Sequence, residues 1–472
     1  MAWAAPARTL LLVLLAITLA TPGLSTTLHQ EAQAATMSQP YTPPSVPDAW
    51  LGFQQAMHDS VALKDESLIA PLLPGAALLG WDQDVGRTYH AGQAWATEQL
   101  KRATRDTLAM NARALLALNQ LPTELPGLVN IPEAYAAPMA TLLHAQLHAT
   151  QRAHTGPDPD TDPWGHTRHH TLTGAWLLGT IQQVTPHLDQ AQSHAPDTPV
   201  FADELGLIIL GSKHDDTYDP GPLPVRWTSP LLLIEPGGDD TYNINVATTP
   251  TIQVDVPLIG TVERTFTGTN IAIEQHGNDT YNQKAASQNG LGNQAILLEE
   301  EGDDVYGDLG LEHATARAGG GFSALLDQHG NDHYRTDDRG LGYAIRGTSL
   351  LADWQGDDTY EANTGSSLGF TQAAGENVGA LAILRDHTGN DTYTANLHAM
   401  ASSEDGAYTL FIDDEGDDEH HVDTLGPTSL GSRFASEGGY WAPGNKGLAY
   451  YLDGNGHDMW TWRSFPLPVT FG

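Results

Sequence analysis

The sequence contains no cysteine and little positive charge. The absence of cysteine excludes disulfide bonds, thiolate metal sites, iron–sulfur clusters and a cysteine nucleophile. Among the 472 residues, 21 Lys+Arg stand against 58 Asp+Glu, which gives a formal net charge of −37. Nucleic acids and anionic membrane surfaces bind basic patches, so neither is an expected partner.

Apolar runs long enough to span a membrane are also missing. The run from Leu10 to Ala20 follows the lone charge of Arg8, and its length is that of a signal-peptide core rather than a membrane span. The tripeptide AQA at 32–34 offers a small-x-small cleavage site. Residues 1–34 therefore predict a signal peptide, with an uncleaved membrane anchor as the alternative. We expect the mature protein to be exported: extracellular, periplasmic or at the cell surface.

Charge divides the chain into two parts. The first 200 residues hold 16 acids and 9 bases, whereas residues 201–472 hold 42 acids and 12 bases. Within residues 41–199, apolar residues recur near a period of 3.6, which predicts a helical domain packed as a small bundle. The clearest helical stretches are Ala91–Gln120, Pro132–Arg152 and Arg168–Val184.

One internal repeat dominates residues 201–472. Its core reads apolar, Asp or Glu, two variable residues, Gly, Asp or Asn, Asp, one variable residue and Tyr, as in IEQHGNDTY (273–281). Nine copies occur, and the first, LGSKHDDTY (210–218), has Gly211 where the first acid belongs. The last aspartates of successive copies are mostly 24–28 residues apart, with three longer insertions. This unit is too short for a propeller blade or a helical pair and is typical of one coil of a β-solenoid.

The remainder of each unit predicts short strands. Apolar runs precede the motif, and residues alternate in polarity after it, best at 242–246 and 251–256. We therefore expect an α+β multi-domain protein. Its N-terminal helical bundle (41–199) would precede a C-terminal β-solenoid (201–472), a parallel β-helix or β-roll of about nine coils.

Stacked turns would bring the acids of successive copies together. Carboxylates at strand spacing repel one another, and Ca²⁺ relieves such repulsion because it accepts six to eight oxygen ligands in irregular geometry. The glycine of each turn would adopt the positive φ that aims carbonyl groups at an ion. The predicted metal ligands are the first acids Glu235, Glu274, Glu299, Asp327, Asp353, Asp386, Asp413 and Asp453; the middle residues Asp239, Asn278, Asp303, Asn331, Asp357, Asn390 and Asp417; and the last aspartates Asp240, Asp279, Asp304, Asp332, Asp358, Asp391, Asp418 and Asp458.

The turns also carry a resemblance to a known family. Gly-Asn-Asp-Thr-Tyr (277–281 and 389–393) and Gly-Gly-Asp-Asp-Thr-Tyr (237–242) resemble the second half of the hemolysin-type (RTX) calcium-binding nonapeptide. This resemblance covers about nine residues of each unit and implies stacked turns that hold Ca²⁺ between coils of a secreted protein. The units are also similar to Gly-Asp-Asp-x-Tyr repeats of exported bacterial proteins.

Other interpretations remain open. Asp and Asn also cap tight turns through the backbone, and a surplus of acids can reflect adaptation to high salt without a specific ion. A carbohydrate-active solenoid enzyme, a polysaccharide lyase or hydrolase, would need a singular carboxylate pair, most readily in the insertions 248–267, 363–380 or 423–445.

Histidines supply a second candidate metal site in the helical part. His144 and His148 are four residues apart, and His166, His169 and His170 follow nearby, although packing histidines are the simpler interpretation. No nucleophile or nucleotide motif predicts a catalytic residue or an organic cofactor. We expect an exported, calcium-stabilised, non-enzymatic binding or scaffold module whose partner is an extracellular or cell-surface glycan or protein.

Overall fold

The computed structural model describes most of the chain beyond the N-terminal segment. The described residues are 51–57, 67–153, 155–220, 225–249, 251–256, 260–265, 268–288, 290–307, 315–336, 341–362, 368–371, 379–395, 400–403, 407–424 and 448–464. The predicted signal peptide and nearly all of the insertion 423–445 lie outside these ranges.

Helices form the N-terminal part. Residues 51–57 are helical, and short 3₁₀ helices occur at Ala70–Leu72, Leu128–Asn130 and Gln192–His194. The longer α-helices of the described chain are α1 (Leu73–Leu78), α2 (Asp82–Leu100), α3 (Arg105–Leu118), α4 (Glu133–Ala153) and α5 (Pro163–Ala191).

Capping residues set the helix boundaries. The predicted stretch Ala91–Gln120 is divided between α2 and α3 because Thr104 caps α3: its hydroxyl accepts the Thr107 N–H at 3.3 Å, and the Thr107 hydroxyl accepts the Thr104 N–H at 2.6 Å. Asp162 caps α5 by accepting the Gly165 N–H at 3.0 Å. The other two predicted helices correspond to α4 and α5.

Two glycines bring α2 and α5 into backbone contact. A Cβ atom on Gly92 would lie 2.1 Å from the carbonyl oxygen of Trp176, and a Cβ atom on Gly179 would lie 2.1 Å from that of Tyr89. Only glycine leaves room for this crossing, which packs the apolar faces of α2 and α5 against each other.

Large, mainly parallel sheets follow the helices, which confirms the α+β class. The first sheet has ten strands: Val200–Phe201, Ile208–Leu210, Leu232–Glu235, Thr269–Glu274, Gln294–Glu299, Gly321–Asp327, Gly347–Asp353, Ala380–Asp386, Tyr408–Glu415 and Leu448–Asn455. The second has nine: Thr217–Tyr218, Thr241–Tyr242, Thr280–Tyr281, Val305–Tyr306, His333–Thr336, Thr359–Ala362, Thr392–Ala395, Glu419–Thr424 and Met459–Ser464.

Two smaller sheets complete the described strands. The third sheet is parallel and contains Ser287–Gln288, Arg317–Ala318, Leu341–Ala344, Leu368–Thr371 and Met400–Ser403. The fourth is antiparallel and contains Val225–Trp227, Thr251–Val256 and Gly260–Thr265, so the predicted strand at 251–256 belongs to a hairpin in an insertion. Each of the nine repeats thus contributes one strand to both long sheets, and repeats three to seven also contribute one to the third.

The strands of neighbouring repeats pair with their equivalent motif residues in register. Glu274 lies opposite Glu299 in the first sheet, and Tyr281 lies opposite Tyr306 in the second, so equivalent motif residues form rows across the sheets. A third row runs along a chain bend, where Ala247, Ala286, Ala316, Gly342, Gly369 and Ala401 all have φ between 44° and 68°.

The helices cover one face of the first sheet. A Cβ atom on Gly174 of α5 would lie 2.4 Å from the ring of Phe322, and one on Gly75 of α1 would lie 2.5 Å from Ile383. The strands Gly321–Asp327 and Ala380–Asp386 are therefore buried at every residue, as expected for parallel strands covered on both faces. Helices and repeats share one continuous hydrophobic core.

Candidate metal centre

Two of the three predicted ligand positions in each repeat point into the protein. Fourteen of these carboxyl groups are at most 2% exposed, and we call them the buried acid column. Asp453 and Asp458, in the last repeat, are half-buried. The column consists of Glu235, Asp240, Glu274, Asp279, Glu299, Asp304, Asp327, Asp332, Asp353, Asp358, Asp386, Asp391, Asp413 and Asp418.

The last aspartates are held by backbone hydrogen bonds between repeats. From Asp216 to Asp391, each backbone N–H donates to Oδ1 of the equivalent aspartate in the next repeat over 2.5–2.7 Å, and Asp418 donates to Asp458 over 3.4 Å. This bond fixes one oxygen of each carboxyl group and leaves Oδ2 for other partners. In the described chain, Oδ2 finds no hydrogen-bond donor at Asp240, Asp279, Asp304, Asp332 and Asp358.

The motif tyrosines form a stack beside the acids. From Tyr218 to Tyr393, successive ring centroids lie 4.7–5.1 Å apart and the rings are within 13° of parallel. Five of the seven hydroxyl groups donate to first acids of the next repeat, as from Tyr306 to Asp327 at 2.7 Å and from Tyr334 to Asp353 at 2.6 Å. The tyrosines therefore both pack between repeats and solvate part of the column.

These donors are too few for the number of carboxyl groups. Neither oxygen of Glu274 finds a donor among the described residues, and one oxygen each of Glu235 and Glu299 also lacks one. The lysine and arginine ion pairs of the described chain lie elsewhere, as between Arg385 and Asp414. Within the described residues, the column thus concentrates carboxyl groups without a lysine or arginine side chain to balance them.

Burial and mutual repulsion raise the pKa values of the column. Burial, followed by neighbouring carboxylates, raises the pKa of Asp240 to about 7, of Asp279 to about 8 and of Asp358 to about 9. The same causes raise the pKa of Glu274 and Glu299 well above the usual range. At neutral pH, this column must therefore retain protons or bind cations.

The geometry groups the acids into repeated sets of three. Each set joins the last aspartate of one repeat to both inner acids of the next, with ligand oxygens within 4.8 Å of one another. Oxygen-only donors that include unpaired carboxylates fit a hard cation such as Ca²⁺. Four of these sets are Asp240–Glu274–Asp279, Asp279–Glu299–Asp304, Asp304–Asp327–Asp332 and Asp332–Asp353–Asp358.

The middle residues of the motif lie apart from this column. All seven are exposed, and each side-chain oxygen accepts the backbone N–H of the equivalent residue in the next repeat over 2.8–3.1 Å. They act as turn caps, the alternative that the sequence left open. These residues are Asp239, Asn278, Asp303, Asn331, Asp357, Asn390 and Asp417.

The turn glycines serve a different purpose from the one predicted. Only Gly238 and Gly277 among them have positive φ, at 128° and 152°. At Gly330 a Cβ atom would lie 1.7 Å from the carbonyl oxygen of Gly302, and at Gly356 it would lie 1.8 Å from that of Gly330. Glycine is required because successive turns stack backbone on backbone, and the expectation that positive φ explains every turn glycine is wrong.

The first repeat ends the column by omitting one acid. A Cβ atom on Gly211 would lie 1.6 Å from a carboxylate oxygen of Glu235, so the side chain of the second repeat occupies the space of the missing acid. The hydroxyl groups of Tyr218 and Ser212 donate to Glu235 and Asp216, respectively. The degenerate copy therefore closes the column with neutral donors.

The histidines of the helical part make packing contacts. His144 and His148 lie beside Trp95, with ring centroids 5.2 and 5.9 Å away, and burial lowers the pKa of both to about 4. The two ring nitrogens of His166 each lie 3.0 Å from a carbonyl oxygen, one of them that of Gly320. These rings are held by the core and by the contact between α5 and the sheets.

Sequence reasoning did not single out His420 as a possible ligand. It occupies the tyrosine position of the eighth repeat, and burial lowers its pKa to about 3. Its ring stacks on Tyr393 with centroids 5.0 Å apart. The motif copy IDDEGDDEH (412–420) carried the signal, because it alone ends in histidine.

Comparison with known proteins finds no matching family model, no matching curated protein and no matching solved structure. In the described part of the chain, none of the helices has the length and apolar character needed to cross a membrane.

Proposed function

We propose that the protein is an exported, calcium-stabilised scaffold or binding module. In this proposal, residues 201–472 form a β-solenoid, and Ca²⁺ ions bind along the buried acid column between successive coils. The observation that carries the proposal is a continuous row of carboxyl groups that is inaccessible to water and, among the described residues, is not paired with any lysine or arginine side chain.

The strand order supports a solenoid. The chain visits the first, second and third sheets in the same sequence in repeats three to seven, and neighbouring repeats pair in parallel and in register. It also bends at one equivalent position in six repeats, with residues such as Ala286 and Ala316 in the same left-handed conformation. A chain that repeats strand, turn and bend with one register advances by one strand spacing per unit.

The donor set favours Ca²⁺ over other hard cations. Mg²⁺ demands near-ideal octahedral geometry and retains several waters, whereas Ca²⁺ accepts carboxylates in irregular numbers and directions. The predicted export supports the same choice, since extracellular calcium modules work at about 10⁻⁴–10⁻³ M Ca²⁺. Binding would supply the positive charge that the side chains of the column do not.

The same column argues against a role in hydrolysis. A glycosidase needs one accessible carboxyl pair, whereas these acids recur in seven successive repeats and are at most 2% exposed. A repeated, inaccessible site is suited to stability rather than turnover. The exposed surface of the repeats would then carry the binding function, for a glycan or protein partner outside the cytoplasm.

Thermal unfolding of the mature protein tests the calcium proposal. Melting is measured with Ca²⁺, with Mg²⁺ and with chelator, each at the same ionic strength. A ligand that binds only the folded state stabilises it by about 2.7 kcal/mol at one hundred times its dissociation constant, so we expect a large, saturable shift with Ca²⁺ alone.

Two adjacent aspartates provide matched variants for this measurement. Asp304 belongs to the column and Asp303 is an exposed turn cap, so Asp304→Asn should reduce the Ca²⁺ shift while Asp303→Asn preserves it. Equal stabilisation by Ca²⁺, Mg²⁺ and monovalent salt would contradict the proposal and favour adaptation to salt. Equal Ca²⁺ shifts in both variants would contradict the placement of the ions in the column.

A further inference from the structure

The eighth repeat changes the chemistry of the column. In the seven preceding repeats, a tyrosine fills the last motif position, and a phenol group can donate a proton to a neighbouring carboxylate. His420 replaces it while keeping its place in the stack, since its ring lies 5.0 Å from Tyr393 and within 8° of parallel. The replacement exchanges a proton donor for a nitrogen that can bind a metal ion.

Carboxyl groups surround this imidazole. Potential ligand atoms of Asp413, Asp418 and His420 lie within 4.8 Å of one another, and all three residues are buried. Asp413 is 2% exposed, and neither of its oxygens finds a hydrogen-bond donor in the described chain. This unsatisfied carboxyl group is the second observation, beside the cluster itself, that points to a bound cation.

A fourth ligand, and the third carboxyl group, comes from the last repeat. Oδ2 of Asp453 lies 3.6 Å from Nε2 of His420. The Tyr451 hydroxyl lies 3.2 Å from the same nitrogen and donates to Asp453 over 3.3 Å. Ligands that share a tetrahedral ion with bonds of about 2.0–2.1 Å are separated by roughly 3.3 Å, so these atoms are close to the required spacing.

We propose that Asp413, Asp418, His420 and Asp453 form a site for a divalent transition-metal ion of the Zn²⁺ type. Imidazole nitrogen favours Zn²⁺ and its first-row neighbours, whereas Ca²⁺ and Mg²⁺ prefer oxygen alone. The site is distinct from the oxygen-only sets of the other repeats and does not depend on their occupation by Ca²⁺. It would tie the last two repeats together at the C-terminal end of the stack.

Metal analysis of the mature full-length protein tests this site. The protein is stripped with chelator, dialysed against Zn²⁺ with excess Ca²⁺ present, and analysed for bound metal by mass spectrometry. We expect one tightly held Zn²⁺ per chain. Replacement by Co²⁺ should give the visible absorption of a tetrahedral site with nitrogen and oxygen ligands.

His420→Tyr is the decisive variant because it restores the residue found in seven other repeats. We expect it to fold, to keep the response to Ca²⁺, and to lose the Zn²⁺ equivalent and the Co²⁺ spectrum. Asp413→Asn, an isosteric change, should weaken Zn²⁺ binding by at least about tenfold. His421→Ala is the control, since this neighbouring histidine is half-exposed and pairs with Glu419.

Each outcome decides the proposal. Zn²⁺ retention by His420→Tyr equal to that of the unaltered protein would overturn it, as would loss of binding in His421→Ala alone. Absence of a Zn²⁺ equivalent in the unaltered protein would also overturn it. A normal Ca²⁺ shift in that case would leave the calcium proposal standing, so the two failures are distinguishable.

Discussion

The hydroxyl group of Tyr360 donates a 2.6 Å hydrogen bond to Asp386 of the following repeat, whereas the hydroxyl group of Tyr242 has no hydrogen-bond partner in the described chain. Both rings are completely buried and both stack between tyrosines of adjacent repeats. The two residues therefore separate the contribution of ring stacking from that of carboxyl solvation, because they differ mainly in the hydroxyl contact.

This difference predicts opposite results for the same substitution. Tyr360→Phe should destabilise the protein by about 1–3 kcal/mol, because it leaves a buried acceptor without its donor. Tyr242→Phe should change the free energy of unfolding by close to zero or raise it, since it removes a buried hydroxyl group that makes no bond. Urea unfolding of both variants in chelator measures the difference, and equal destabilisation would show that the hydroxyl contacts do not matter.

The spacing of the motif copies predicted the strands of the repeat, but not which motif residues are buried and which are exposed. The nine copies predicted from the last aspartates each contribute strands to both long sheets. Asp303 and Asp304 were assigned to one ligand set, yet one is exposed and the other is 1% exposed. Neighbouring residues of an extended segment point to opposite sides, and the motif alone does not reveal which side faces the core.

The sequence contains a signal for the position of the helices that the spacing of the motif does not reveal. Strands such as Gly321–Asp327 are apolar or small up to the closing acid, Asp327, and do not alternate, which is typical of strands buried on both faces. The motif tyrosines and the buried acid column lie on one side of these strands, so another element had to cover the other side. Helix α5 does so, and the pairing of Gly174 with Phe322 depended on tertiary contacts that no local pattern specifies.

The stacking of the turn glycines predicts that the loss of stability on replacing glycine by alanine depends strongly on the position. Gly330→Ala places a methyl group 1.7 Å from the Gly302 carbonyl oxygen, and separating the two backbones should cost about 3 kcal/mol or more, at or beyond the upper range for overpacking. Gly86→Ala in α2 is the matched control, because its Cβ meets no atom within 4 Å. This control should stabilise the helix by roughly 0.5–1 kcal/mol. Chemical unfolding compares both, and a mild effect at Gly330 would contradict the tight stacking of the turns.

The raised pKa values predict that the metal-free protein becomes less stable as pH rises. Asp240, Asp279 and Asp358 have folded-state pKa values of about 7, 8 and 9, against an ordinary value of 3.8. Between the ordinary pKa of an aspartate and the raised pKa of the folded state, the folded protein binds more protons than the unfolded protein, so ionisation favours unfolding. The stability that these protonated carboxyl groups contribute is complete below about pH 4 and is lost as pH rises through 7 to 9. Each such group changes the unfolding equilibrium constant by up to about tenfold per pH unit.

Calcium should reverse this dependence, because Ca²⁺ competes with protons for the same carboxylate oxygens. In chelator, the melting temperature should fall steadily from pH 5 to pH 8, since the column loses protons that nothing replaces. With saturating Ca²⁺, it should stay level or rise over the same range, because the ion binds the ionised form that higher pH supplies. Asp303→Asn should preserve both profiles, whereas Asp304→Asn should flatten the fall in chelator, since a buried acid with a raised pKa has been removed. A melting temperature that rises with pH in chelator would mean that the column is ionised without metal, and the charge argument for both protons and cations would then fail.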